Sequence, residues 1–337
     1  MKNASLSFDL TQATRFQTKY IATLALVLSA MSSPAEAGPV YGYSKNDISA
    51  FRISSGLAGA ATRSYFSHHR AMFDGFGVDS HPKGAEKNSD DLPQSKVGPG
   101  GFPGENTFTP HGQQGSGYAR ADTQPIPAAP APPEAAKNVA EAYRITPGNA
   151  SARADFTLFV QGDTNGGSLT FFFTATPFMR VKTTNEGDQA EADLEVELNV
   201  LFDPEGDAPR KPVFVWVPCG DKTNPRCFGI IDPSLSVGGI TDPFDLNETI
   251  TCKGGPCEKT WPADGTEKTH NYEITVNGFG KGTVTAGLDS HEGVSLRARE
   301  VRVPEPSTLP LMLCGAIGLA ITWLRRSRGR KSANLDA

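Results

Sequence analysis

The chain has 337 residues, 38% of them hydrophobic, with 35 Gly, 26 Pro and a net charge of −5. That length admits one or two domains and a core of useful size. Residues 38–303 carry 24 basic and 33 acidic residues, a net of −9, which argues against a nucleic-acid partner, since phosphate binding needs a basic surface.

In chain order, residues 1–37 read as a secretory signal. Arg15 and Lys19 precede an apolar stretch from Ile21 to Met31, and Ala35-Glu36-Ala37 follows as an A-x-A site. Small side chains at Ala35 and Ala37 suit signal peptidase, and the run is too short for a stable spanning helix. Export machinery and signal peptidase are the implied partners.

Residues 38–133 are expected to be largely irregular. One strand fits Asp47–Leu57, but Gly98–Gly104 is Gly/Pro-rich and Pro125–Pro133 is a Pro-Ala run, read as a stiff spacer. Such composition buries too little surface to offset its ordering entropy. Residues 134–153 are expected to hold a short helix over Glu134–Tyr143, with Val139, Ala140 and Tyr143 on one face, and a linker beginning at Pro147-Gly148.

From 154 to 303 the pattern changes to period two. In Ala192–Phe202, the apolar residues Ala192, Leu194, Val196, Leu198, Val200 and Phe202 alternate with Asp193, Glu195, Glu197 and Asn199. That is a half-buried strand with an acidic face. Phe156–Val160, Leu169–Thr174, Val213–Val217, Tyr272–Val276, Thr283–Leu288 and Val294–Val301 also read as strands. The expected fold is mainly β: an antiparallel β-sandwich of jelly-roll type over 154–303.

Cys219, Cys227, Cys252 and Cys257 lie in this exported region, an even count that suggests two disulfides. Three pairings are open; Cys219–Cys227 and Cys252–Cys257, each closing a short Gly/Pro-rich loop, are favoured. Their spacings fit a zinc site poorly. Cys314 is expected to remain a thiol. His68, His69, His81, His111, His270 and His291 are scattered, with no nucleophile elbow beside them. His68-His69 is placed in a mobile segment and His291 in a turn. Asp203, Glu205 and Asp207 offer hard oxygens for calcium, but without EF-hand spacing an acidic hairpin turn is favoured. Asp163 and Asn165 are read as part of a Gly-rich turn. Asn247-Glu248-Thr249 matches a glycan acceptor by chance. No cofactor or metal is expected. Trp216, Trp261 and Tyr272 are candidate glycan contacts. Trp216 suits the core better, while Trp261, placed in a turn, is the stronger candidate.

The C-terminus, 304–337, reads Pro304-Glu305-Pro306, then an apolar run ending at Leu324, then Arg325, Arg326, Arg328, Arg330 and Lys331. A membrane helix is expected over 308–324. Its apolar core of about 24 Å is short of a bilayer's roughly 30 Å, which makes a weak anchor, and the basic cluster holds that end in the cytoplasm. This three-part order resembles the PEP-CTERM sorting signal of Gram-negative bacteria. The resemblance implies processing by the membrane transpeptidase exosortase at Pro304, Glu305 and Pro306. It also implies a transient stay in the inner membrane, then release to the cell surface or exopolysaccharide matrix, with matrix polysaccharide as a further partner, in a protein that is not an enzyme. A looser likeness to ectodomains on such tails rests on Gly104-Glu105-Asn106-Thr107-Phe108-Thr109-Pro110, Tyr118-Ala119-Arg120-Ala121-Asp122 and Asp242-Pro243-Phe244, and implies no activity. Two further readings stand beside it: a carbohydrate-binding β-sandwich, and, less favoured, a secreted hydrolase using paired carboxylates.

Overall fold

The computed structural model describes residues 38–74, 76–80, 94–126, 134–206, 209–221, 224 and 227–299. Ala35 and Ala37, expected to flank a signal cleavage site, and Pro304-Glu305-Pro306, the apolar run and the basic cluster expected to form a sorting tail, lie outside the described residues.

Among the described residues, sixteen antiparallel strands build two facing sheets. They are β1 (Val40–Ser55), β2 (Thr62–Phe73), β3 (Phe76–Ser80), β4 (Ser95–Val97), β5 (Gly117–Ile126), β6 (Ala135–Arg144), β7 (Gly148–Thr164) and β8 (Gly167–Thr183), followed by β9 (Gln189–Pro204), β10 (Lys211–Trp216), β11 (Phe228–Ile230), β12 (Ser236–Thr241), β13 (Glu248–Lys253), β14 (Cys257–Trp261), β15 (His270–Phe279) and β16 (Gly282–Ala298). The first sheet runs β12-β15-β8-β1-β6-β5-β4, with β14 also on β8; the second runs β11-β10-β9-β16-β7-β2-β3, with β13 also on β9. The architecture is a β-sandwich.

Alternation explains the core. Along β9, Ala190, Ala192, Leu194, Val196, Leu198, Val200 and Phe202 point inward, and along β8 Leu169, Phe171, Phe173, Ala175, Met179 and Val181 do the same. These rows interdigitate with Val284, Ala286, Leu288, Val294 and Leu296 of β16 in one hydrophobic cluster. Trp216 belongs to it, its ring tilted against Phe173 and Tyr272, which stack on each other.

Three expectations need correction. The sandwich does not begin at 154. Five strands lie in the segment expected to be irregular, and β1 occupies the middle of its sheet, between β8 and β6. The helix expected at Glu134–Tyr143 is strand β6, and no helix occurs among the described residues. From Asn138 to Arg144 every β6 residue is buried, so the period-two signal is erased and helix-favouring Ala, Glu and Lys mislead. Finally, the two strands expected at Thr283–Leu288 and Val294–Val301 are one, β16.

Polar side chains interrupt the hydrophobic interior, and four of them form one group. Asn46, Asn138, Ser290 and Glu292 are fully buried. The amide of Asn138 donates to the carbonyls of Ala154 and Ser290, both at 3.2 Å. Ser290 Oγ donates to Glu292 Oε1 at 2.7 Å, and Asn46 Nδ2 donates to Ser290 Oγ at 3.1 Å. Glu292 Oε2 and Asn46 Oδ1 have no hydrogen-bond partner.

Candidate functional site

The outer face of the first sheet is covered by a strap, residues 98–116. Phe108 and Phe102 pack on Tyr41, Tyr43, Tyr118, Val139 and Tyr143. The strap is fastened by Arg120 and Glu141, both fully buried and 2.7 Å apart. Arg120 also donates to the carbonyls of Thr107 (2.5 Å) and Thr109 (2.9 Å). Glu141 Oε1 accepts from the Tyr41 hydroxyl and the backbone N–H groups of His111 and Gly112. Asp122 accepts from Asn106 N–H at 2.7 Å, and burial raises its carboxyl to about 6 against that bond. Thus Gly104–Pro110 and Tyr118–Asp122, separate in sequence, form one clasp. Its charges are spent on holding the strap.

Asp242-Pro243-Phe244 plays a related part. Asp242 Oδ2 accepts from Cys219 N–H at 3.0 Å, and the Phe244 carbonyl accepts from the Tyr272 hydroxyl at 3.1 Å. The disulfides join Cys219 to Cys227 and Cys252 to Cys257. The second joins β13 of one sheet to β14 of the other.

The outer face of the second sheet carries a row of titratable side chains. Register places His68, Asp155, His291 and Glu195 in one row across β2, β7, β16 and β9. Asp155 accepts from His291 Nδ1 (2.8 Å) and lies 3.2 Å from His68 Nδ1; Arg153 Nε reaches both its oxygens. Burial works against the Asp155 charge, yet the hydrogen bonds from His291 and Arg153 hold it below the ordinary carboxylate range. The bond to Asp155 raises His291 above the ordinary imidazole value. In the adjoining row Asp193 lies over Gly293, where an added Cβ would come within 2.3 Å of its carboxylate. Burial, then the Glu191 carboxylate, raises Asp193. On the other side lie Phe66, 42% exposed, and Asp289, which accepts from Thr157 and Asn199. Phe159 rests on Gly287 further along.

This face ends in a cleft of about 480 Å³ lined by Asp163, Asn165, Asp203, Glu205, Lys281 and Thr283 among others. The two acidic turns, separate in sequence, meet there. Lys281 pairs with Glu205 at 3.0 Å, and Thr283 Oγ1 donates to Asp163 at 2.7 Å. Asp207 lies outside the described residues.

The other predicted residues are distributed differently from expectation. Trp261 is not in a turn. It ends β14, is partly buried, and packs on Phe244 at 4.6 Å, which also stacks on His270. Tyr272 is fully buried and cannot meet a ligand. His68 and His69 lie in β2, on opposite faces, and His291 is inside β16. The Asn247 amide is engaged by the Pro218 carbonyl at 2.7 Å and by Val196 N–H at 3.0 Å, so it is a structural residue.

The sequence matches no family model and no curated protein. Among solved structures, TmCBM61 in complex with beta-1,4-galactotriose aligns over 40% of this chain and 69% of its own, at 10% identity and a TM-score of 0.08. That similarity bears on neither fold nor ligand.

Proposed function

We propose that this chain is an exported structural or interaction protein of the cell surface or exopolysaccharide matrix. It is parked in the inner membrane by its C-terminal tail and processed by exosortase at Pro304, Glu305 and Pro306, with no catalytic role. The observation that carries the reading is the pair of disulfides in the folded body, because such bonds persist in oxidising compartments outside the cytoplasm. The order of Pro-Glu-Pro, apolar run and basic cluster supplies the route. The interlocked charges, with Arg120 on Glu141 and Asp155 held by Arg153 and His291, suit a rigid display surface. The test is C-terminal mass spectrometry of the mature protein with and without exosortase. Loss of Leu309–Ala337 only when the enzyme is present is the expected result. Retention of that segment in both cases refutes the proposal.

A second reading, a carbohydrate-binding sandwich, draws on Phe66, exposed on a face with carboxylates and histidine. An aromatic beside hydrogen-bonding groups is the usual provision for a sugar ring. Glycan-array binding that vanishes in Phe66→Ala supports it, and loss in Trp261→Ala would move the site to the β14 edge. Binding to no glycan counts against it.

A further inference from the structure

The turn between β8 and β9, residues 184–188, gathers both ends of the described sandwich. At the N-terminal end, Thr184 Oγ1 donates to the Pro39 carbonyl at 2.8 Å, and Gly38 is so close that an added Cβ would lie 2.6 Å from Thr184. At the C-terminal end, the Arg299 N–H donates to Asp188 Oδ1 at 3.0 Å, and the Arg299 side chain packs over Gly187. Asp188 is fully buried. Its carbonyl also accepts from Gly254 N–H at 3.3 Å, in the β13–β14 turn closed by Cys252–Cys257. The chain therefore enters and leaves the sandwich at one pole.

Exposed cations surround that pole. Lys253, Lys259, Arg297 and Arg299 are exposed and have no carboxylate partner among the described residues, and Lys182 is half-exposed. The acids there are Glu186, Asp188, Glu191 and Glu258; buried Asp188 is engaged by the N–H groups of Asn185 and Arg299, Glu191 accepts from Thr251, and Glu258 is occupied by Arg180 and Lys182. A body whose sequence is acidic as a whole thus turns a basic surface toward the side from which both chain ends depart. The carboxylate-lined cleft lies at the other ends of β7, β9 and β16, roughly 50 Å away by the rise of a 17-residue strand.

We propose that this pole is a membrane-docking surface for anionic phospholipid headgroups, which stands the sandwich upright with its cleft presented outward. The inference rests on the reading of the tail as a membrane handle. The handle alone does not fix orientation, because the ten residues from Arg299 to Leu309 could span roughly 30 Å when extended. Several cations near an anionic surface supply the missing torque, and salt weakens them.

The full chain, recovered from membranes and reconstituted in vesicles of phosphatidylglycerol and phosphatidylethanolamine, tests this. A non-thiol fluorophore is placed at Pro256 or at Glu205, and quenching by headgroup-labelled lipid is read. Several-fold stronger quenching at Pro256 is expected. It should fall to the Glu205 level in high salt, in purely zwitterionic vesicles, and in K253E/K259E/R297E with an unchanged melting temperature. Equal quenching at the two positions in vesicle-bound protein, or indifference to salt and to charge reversal, overturns the docking proposal alone. A chain that floats with no vesicles overturns the handle and the docking together.

Discussion

Glu292 is the residue whose burial has the clearest measurable consequence. Burial raises it well above the ordinary carboxyl value, with Ser290 and Asn138 opposing the shift. The folded state therefore keeps a proton that the unfolded state releases above its ordinary value near 4.5. Stability must fall as pH rises from there toward the folded value, by up to about 1.4 kcal/mol per pH unit. Glu292→Gln should flatten that decline and raise the urea midpoint at pH 8 relative to wild type; an unchanged slope between pH 5 and 8 would refute the assignment. His291 also loses its contribution as pH rises, but through a different window. The charged imidazole on Asp155 stabilises fully below about 6.5 and is lost as pH passes its raised folded value. His291→Gln should remove only that upper part of the titration. At the strap, Arg120→Ala leaves Glu141 buried without its cation and should cost about 3–5 kcal/mol, with limited proteolysis appearing within 98–116. None of these partnerships was visible in the sequence. Asp155 meets His68 and His291 across 87 and 136 residues of chain, and only the register of four strands brings them together.

Among the elements, β9 was the easiest to read because one face is dry and the other wet, so polarity follows geometry residue by residue. Strand β6 shows the opposite case. Its inner face meets the sandwich core and its outer face lies under the strap, so Glu141 is as buried as Ala140. The segment 98–116 looked incapable of order because it contributes few apolar side chains. Its order comes from buried hydrogen bonds donated by Arg120 and accepted by Glu141, which a composition argument does not count. The short disulfide loops were legible from spacing, but not the fact that Cys252–Cys257 bridges two sheets. Replacing both cysteines by serine should lower stability by about 2 kcal/mol. Hydrogen exchange should then quicken in β13 and β14 before it does in β16.

For the whole molecule, the decisive fact is that the N-terminal strands are central. A fragment of 154–303, the unit that alternation alone marks out, lacks β1 from between β8 and β6 and lacks β2 from the edge of β7. It should be unfolded or aggregated by circular dichroism and sedimentation, whereas 38–303 should unfold in one cooperative transition. A soluble, cooperatively folding 154–303 fragment would contradict this topology.

The length of β16 has a mechanical meaning. It is hydrogen-bonded over all of its residues to β7 and over nearly all of them to β9, and it leads directly to Arg299. Tension between something gripped at the cleft and an anchor beyond Arg299 would pull along this strand. The two ladders would share that load in shear and would have to fail together. Tension applied between the neighbouring chain ends would instead peel the sandwich open one bond at a time, so the molecule is built to be strong in one direction of pull.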